Sequence, residues 1–328
     1  MRAPEFWHDD RGRLAPYLLA PLAAVFAAAA RLRARGASPW RAPVPVICVG
    51  NLTVGGAGKT PTVLTLARRL QSKGLRVGCL SRGYGGTERG PLEVDPRRQD
   101  ASEVGDEPLL LAQAAPTWIA RDRKDGARVA IAEGVDVLIL DDGLQNRSLA
   151  YDLAFVVVDA GYGFGNSRLL PAGPLREPID QGLARAAAVV LIGDDRAGLA
   201  RRLGAHAPVL TARLVPDEEA QHLAGRKVLA FAGIGRPAKF FETLAQLGAQ
   251  LVDRVEFADH HRYTADEAMQ LVEEAQRQDA VPVTTAKDFV RLPEGARRMV
   301  TAVGVELQFD DPPRLDDILA PSLRAVHG

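Results

Sequence analysis

The chain has 328 residues, 47% of them hydrophobic and 25% charged, which suits a soluble globular protein of about two domains and excludes a mainly disordered one. Lys+Arg and Asp+Glu both number 41, so the net charge is zero and no global basic field draws the chain to nucleic acid. The two cysteines, Cys48 and Cys79, lie in apolar runs; this fits a reducing compartment and excludes a disulfide framework, and no zinc-ligand spacing occurs.

The first element is an uncharged run at residues 14–30, flanked by Arg11, Arg13, Arg31, Arg33 and Arg35. As a helix it spans about 25 Å, short of the roughly 30 Å hydrocarbon core. It is mostly Ala and contains Pro16 and Pro21. Leu18, Leu19, Leu22, Val25, Phe26 and Leu32 share one stripe, with Arg31 and Arg35 opposite. Two readings stay open: a helix lying in a membrane interface, or a helix packed on its own domain. A signal peptide fits less well, because arginines follow the run and the next strand leads into a nucleotide-binding motif.

From residue 44 onward apolar runs alternate with helical patterns. Strands are predicted at 44–49, 76–81, 117–120, 135–140, 153–158, 187–192 and 209–214. Helices are predicted at 59–73, 107–115, 124–133 and 196–203. Such alternation gives a mostly parallel sheet covered on both faces. The polar stretch 216–226 reads as an interdomain connection, followed by strands at 227–232, 250–256, 281–285 and 300–309 and helices at 237–247, 264–278 and 314–325. The expected organisation is therefore an N-terminal helix (1–36), a nucleotide-binding domain (37–215), a connection (216–226) and a smaller C-terminal α/β domain (227–328).

The first strand runs into Thr53, Val54, Gly55, Gly56, Ala57, Gly58, Lys59 and Thr60, and then into an amphipathic helix. That is the setting of a P-loop, for which ATP with Mg²⁺ is the expected ligand. Glycines let backbone N–H groups close around phosphate oxygens, and the helix N-terminus adds its positive end. Lys59 would reach the β/γ-phosphates and the Thr60 hydroxyl would meet Mg²⁺. The usual first glycine of the motif is Thr53 here, and Val54 stands where dimerising partition-type ATPases carry a second lysine, which weighs against such a switch. The strand that ends in Asp141 and Asp142 supplies the carboxylates a P-loop needs on its metal side. The two point to opposite faces if the strand continues through them, and which of them meets the metal stays open.

Further segments are hard to explain as scaffold: Ser-Arg-Gly-Tyr-Gly-Gly at 81–86, Gly-Asp-Glu-Pro at 105–108, Asp-Asp-Gly-Leu-Gln at 141–145, Leu-Pro-Ala-Gly-Pro-Leu-Arg-Glu at 170–177, Ala-Gly-Ile-Gly at 232–235 and Asp-His-His at 259–261. In this order they resemble the tetraacyldisaccharide 4′-kinase family, the lipid A 4′-kinases of Gram-negative bacteria, from the N-terminal helix to about residue 288. The resemblance implies two α/β/α sandwich domains, the first P-loop NTPase-like, with the active site between them and an amphipathic N-terminal helix at the membrane interface. It implies transfer of the ATP γ-phosphate to the 4′-hydroxyl of a tetraacyldisaccharide 1-phosphate lipid, giving lipid IVA for lipopolysaccharide. The place is the cytoplasmic face of the inner membrane, with no nucleic acid and no obligate protein partner. By the same resemblance, Asp106 and His260 match a catalytic pair split between the domains, with His261 as a rival for His260. Lys59 and Asp142 complete the expected catalytic set. Glu107, with Thr60, Asp141 and Asp142, is a candidate for magnesium, and Arg82 and Arg176 are candidates for phosphate or transition-state charge. Tyr84 either lines the nucleotide site or ends a loop. A regulatory P-loop ATPase and a kinase of a soluble metabolite are the rival readings.

Overall fold

The computed structural model describes residues 4–8, 14–35 and 38–323. Arg11 and Arg13, and the side chains of Arg31, Arg33 and Arg35, lie outside the described residues.

Eight strands in chain order build most of the large sheet: β1 (Val46–Gly50), β2 (Val77–Ser81), β3 (Leu92–Glu93), β4 (Thr117–Ile119), β5 (Val137–Asp141), β6 (Leu153–Asp159), β7 (Ala188–Ile192) and β8 (Val209–Pro216). A smaller, all-parallel sheet follows, with β9 (Lys227–Ala232), β10 (Gln250–Glu256), β11 (Val281–Thr285) and β12 (Thr301–Val303) in the order β10-β9-β11-β12. The last strand, β13 (Val305–Phe309), returns to the large sheet, whose order is β13-β8-β7-β6-β1-β5-β2-β4-β3. Its strands are parallel except at the two edges, where β3 and β13 run antiparallel to their neighbours. β1, β2, β5 and β7 are buried along their whole length, as strands covered on both faces must be, and that is why they read as unbroken apolar runs.

The P-loop helix, Lys59–Gln71, buries Val63, Leu66, Ala67 and Leu70 on one face of the large sheet, an i, i+3, i+4, i+7 stripe. Leu315, Leu319 and Leu323 of the helix Pro312–Leu323 complete that core. Residues 305–323, expected in the smaller domain, therefore belong to the large sheet. The run 300–309, expected as one strand, is cut at Gly304, where a Cβ would stand 2.3 Å from Asp217 Oδ2. Asp217 and Gly304 lie side by side, each accepting a hydrogen bond from the other's backbone N–H: Gly304 N donates to Asp217 Oδ2 at 2.9 Å and Asp217 N to Gly304 O at 3.1 Å. The chain thus crosses between the sheets twice at one place. The stretch 216–226, expected as a plain connection, holds a 3₁₀ turn, Glu218–Leu223, whose Ala220 and Leu223 are buried in the small core. The small sheet is covered by Phe240, Phe241 and Leu244 on one face and by Leu271, Val272 and Ala275 on the other.

Near the N-terminus, helices Ala15–Leu18 and Ala20–Arg35 meet at Leu19, just before Pro21, which has no N–H to give a helix. Leu14, Tyr17, Leu18, Leu22, Val25 and Leu32 are each more than half exposed. The protein's own domain leaves this stripe uncovered, while Pro16 and Ala23 are buried and Leu19 is half-buried, so the segment packs by one side and presents apolar residues on the other. The segment before it is tied down: Trp7 Nε1 donates to Pro171 O at 3.2 Å and Asn166 Nδ2 to Phe6 O at 2.9 Å. Arg168 lies over the Tyr17 ring, 4.5 Å from its centroid.

Candidate active site

The P-loop leaves β1 at Asn51, a fully buried side chain that donates to Gly55 O at 3.2 Å and accepts from Lys59 Nζ at 3.3 Å. Val54 N donates to Pro174 O at 2.9 Å, which ties the loop to the 168–176 segment. Gly58 has φ +96°, a conformation that favours glycine, and a Cβ there would stand 2.5 Å from Ile192 Cδ1, which would have to shift. A Cβ on Gly55 or Gly56 would meet nothing within 4 Å, so that side of the loop is open to a ligand. Ala57 is buried beneath the loop, and Thr60 is half-buried at the second position of the helix.

Asp141 and Asp142 have different partners. Asp142 has φ +50° and accepts from Arg176 Nη1 through both oxygens at 2.9 Å, with Lys59 Nζ at 3.7 Å. Burial raises its pKa, but Lys59 and Arg176 outweigh that and lower it. Asp141 is buried and neither carboxylate oxygen has a partner among the described residues. Burial first, and then the Glu107 charge, push its pKa well up. A buried carboxylate with nothing to bond is costly unless a cation meets it, so Asp141 fits a divalent ion and Asp142 serves Lys59 and Arg176. Among the described residues no group of three or more His, Cys, Asp and Glu could hold a metal on its own. A hydroxyl, one carboxylate and phosphate oxygens form the donor set that fits here.

Asp106 lies across the same cleft at the start of the helix Asp106–Leu111, buried. Its Oδ1 accepts from Glu107 N at 3.1 Å, and its Oδ2 is 3.2 Å from His260 Nδ1. Arg291, from the small unit, donates to the same Oδ2 through Nε at 3.0 Å and also through Nη2. Burial alone would raise the Asp106 pKa; the His260 hydrogen bond and the Lys287 and Arg291 charges reverse this and hold it well below the usual carboxylate range. Glu107 accepts from Lys287 Nζ at 2.9 Å, so in this arrangement its charge is answered by a lysine.

His260 has φ +60°, and its backbone N–H donates to Gly233 O at 3.0 Å; the ring stands toward Asp106. His261 points elsewhere: it stacks on Phe257 with centroids 4.6 Å apart and its Nε2 is 3.3 Å from Glu267 Oε2. Tyr84 is exposed, with its ring 6.0 Å from that of His260, and Arg82 is exposed on the rim of the cleft. Arg291, Lys287 and Arg123 also line this cleft and Asn51 lies buried against the P-loop; none of the four was an expected site residue. Arg123 is buried, donates to Ala120 O at 2.7 Å and leaves its Nε without a partner; burial lowers its pKa to about 10.

A family model described as tetraacyldisaccharide-1-P 4′-kinase matches residues 15–324. The chain belongs to this family. A tetraacyldisaccharide 4′-kinase of Rhodospirillum centenum is 56% identical over 98% of this chain and 97% of its own length. One from Rhodospirillum rubrum is 54% identical over 95% of each chain. The crystal structure of LpxK from Aquifex aeolicus in complex with ATP is similar at a TM-score of 0.75 and 28% identity, over 94% of this chain and 99% of that one. The two-sheet α/β architecture with its P-loop is thus the architecture of the family, and the chain is a kinase that uses ATP.

Proposed function

We propose that the chain transfers the γ-phosphate of ATP to the 4′-hydroxyl of a tetraacyldisaccharide 1-phosphate at a membrane surface. One observation carries the reading: the P-loop and the Asp106–His260 pair face a single cleft, and the pair takes one member from each unit. The backbone N–H groups of residues 55–60 cradle the phosphates. Lys59 and Arg176, now on Asp142, are within reach of phosphate oxygens, which compete with that carboxylate for both cations. Asp141 and the Thr60 hydroxyl would hold a magnesium ion, which when bound neutralises phosphate charge. Asp106 accepts the hydroxyl proton. A carboxylate this strongly paired is a weak base, and a weak base suffices where the proton leaves late, as the oxygen–phosphorus bond forms. Because His260 and Asp106 come from different units, the pair assembles only on closure, which limits transfer to water.

The lipid nature of the substrate is supported by the far end of the cleft, which continues past Tyr162 and Trp7 to Phe26 on the N-terminal helix. The exposed stripe of Leu18, Leu22, Val25 and Leu32 then rests in the interface of the bilayer, with the acyl chains left in the membrane while the sugar enters the cleft. Among the described residues no helix is long and apolar enough to cross a membrane. The cytoplasmic face of the inner membrane, where ATP is available, is the corresponding location.

The test is a phosphorylation assay with γ-labelled ATP and the disaccharide 1-phosphate lipid in mixed micelles, beside the same reaction with its deacylated headgroup. Label on the 4′ position of the lipid, with little on the headgroup, is expected. A folded, ATP-binding protein that labels neither, or labels the soluble headgroup as fast, would sink the reading.

A further inference from the structure

We propose that Arg291 is the positioning residue of the Asp106–His260 pair: it is the part of the small unit that fixes the direction of the Asp106 carboxylate when the units close. This rests on the reading of Asp106 as the group that accepts the hydroxyl proton.

The Arg291 side chain is only 4% exposed, and an arginine is rarely so buried unless every donor is employed. Its donors are employed on two sides. Toward the cleft, Nε and Nη2 both meet Asp106 Oδ2, and Nη2 lies 3.2 Å from His260 Nδ1. Toward the small unit, Nη1 donates to Gly233 O at 2.9 Å and to Asp288 Oδ1 at 3.0 Å. The brace behind it is itself locked. Asp288 is fully buried and accepts from Gly233 N at 3.0 Å, Tyr263 Oη at 3.1 Å and Thr285 Oγ1 at 2.7 Å. Asp288 therefore spends its bonds inside the small unit, and the guanidinium is what reaches across.

The other groups around Asp106 cannot do this. His260 is 39% exposed and touches Asp106 through one nitrogen. Lys287 Nζ is 3.8 Å from Asp106 and is committed to Glu107. On the side of the large unit, Lys59 is held by Asn51 and Asp142, and Glu103 of the neighbouring helix Ala101–Val104 is used in a capping box with Asp100. The guanidinium occupies Oδ2 and leaves Oδ1, which among the described residues accepts from Glu107 N alone, with an open lone pair toward which a hydroxyl can point. Two donors of one rigid, planar guanidinium converge on Oδ2 and pin that oxygen, which the single flexible ammonium of Lys287 at 3.8 Å does not do.

The experiment uses the full chain with saturating ATP, magnesium and micellar lipid. Arg291→Ala is expected to lower kcat by about 10²-fold, the scale of a misplaced catalytic group, with KM for ATP within about threefold. Guanidinium chloride at about 20 mM, far below denaturing levels, is expected to restore kcat by tenfold or more, while equal sodium chloride or urea does not. Arg291→Lys, which keeps the charge but not the fork, is expected to stay roughly tenfold below the parent. Unchanged kcat in Arg291→Ala, absence of guanidinium rescue in the folded variant, or full activity in Arg291→Lys would each overturn the proposal. Should Arg291→Ala not fold, Asp288→Asn is measured instead: kcat down about tenfold with KM for ATP unchanged supports the brace, and unchanged kcat overturns it. Asp106→Asn run in parallel separates the two levels. Near-normal kcat there removes the underlying reading, whereas an inactive Asp106→Asn beside a fully active Arg291→Ala removes the role of Arg291 alone.

Discussion

Two charged clusters line the same cleft, and they are built on opposite plans. The P-loop cluster of Lys59, Asp141, Asp142 and Arg176 lies wholly within the large unit, and its carboxylate Asp142 already holds the cations that phosphate will need. The Asp106 cluster exists only because the small unit brings His260, Lys287 and Arg291 onto a carboxylate of the large one. The first is ready before ATP arrives; the second is ready only when the units are together. A second interdomain contact, Arg236 and Lys239 on Asp159 at the end of β6, holds the same closed arrangement. In the proposed mechanism nucleotide binding is therefore local, while proton acceptance by Asp106 draws on both units.

The largest effect should come from the local cluster. Lys59→Ala is expected to lower turnover by about 10³-fold or more, on the scale that an arginine finger contributes to phosphoryl transfer, with an unchanged fold by circular dichroism. ATP affinity, measured separately, should fall as well, because Lys59 meets charge that is present in the ground state. Next, Asp106→Asn should lower turnover by about 10²–10⁴-fold while ATP affinity stays within a few-fold. His260→Ala should resemble it, and the double variant should be little worse than either. If Asp106→Asn weakened ATP binding as much as Lys59→Ala does, the two clusters would not be separable and the contrast would fail.

The membrane contact should be separable from both. Fully burying a leucine is worth about 1.5–3 kcal/mol, so replacing Leu18 and Leu22 together by Ser should weaken vesicle binding by tenfold or more even with partial burial. Sedimentation with anionic vesicles reads this directly. Turnover of dispersed lipid in excess detergent should change little, because neither residue reaches Asp106 or the P-loop. Equal binding by the double variant would mean that the exposed stripe is not the anchor.

Much of this was legible in the chain, for a physical reason. Strands buried on both faces must be apolar throughout, so β1, β5 and β7 announce themselves, and a phosphate loop needs glycine where φ is positive, as at Gly58. What stayed hidden was set by tertiary contact. Arg291 is one arginine among many until the fold carries it across 185 residues to Asp106. Asn51 had a signal, its place directly after the first strand, but an asparagine there also suits a turn. The cut at Gly304 falls inside an apolar run, and only the second crossing beside Asp217 shows why the run divides. The polar stretch after β8 concealed Ala220 and Leu223, whose burial makes it part of the small core.

The smallest expected effect concerns the adjacent histidines. His260 and His261 are indistinguishable as residue types, and the resemblance left them as rivals. The backbone separates them: His260 takes a left-handed φ of +60°, so the two rings diverge. His261 lies between Phe257 and Tyr263, with centroids 4.6 and 4.9 Å away, and meets Glu267, the residue that closes the capping box with Thr264. Its losses on truncation are ring packing and one half-exposed hydrogen bond, which together amount to about 1–2 kcal/mol of stability. His261→Ala should therefore lower the melting temperature by a few degrees and leave kcat within about threefold, while His260→Ala does the reverse. Measured side by side under saturating ATP and lipid, an inactive His261→Ala with an active His260→Ala would exchange their roles. It would also move the proton-accepting pair away from the point where the two units meet.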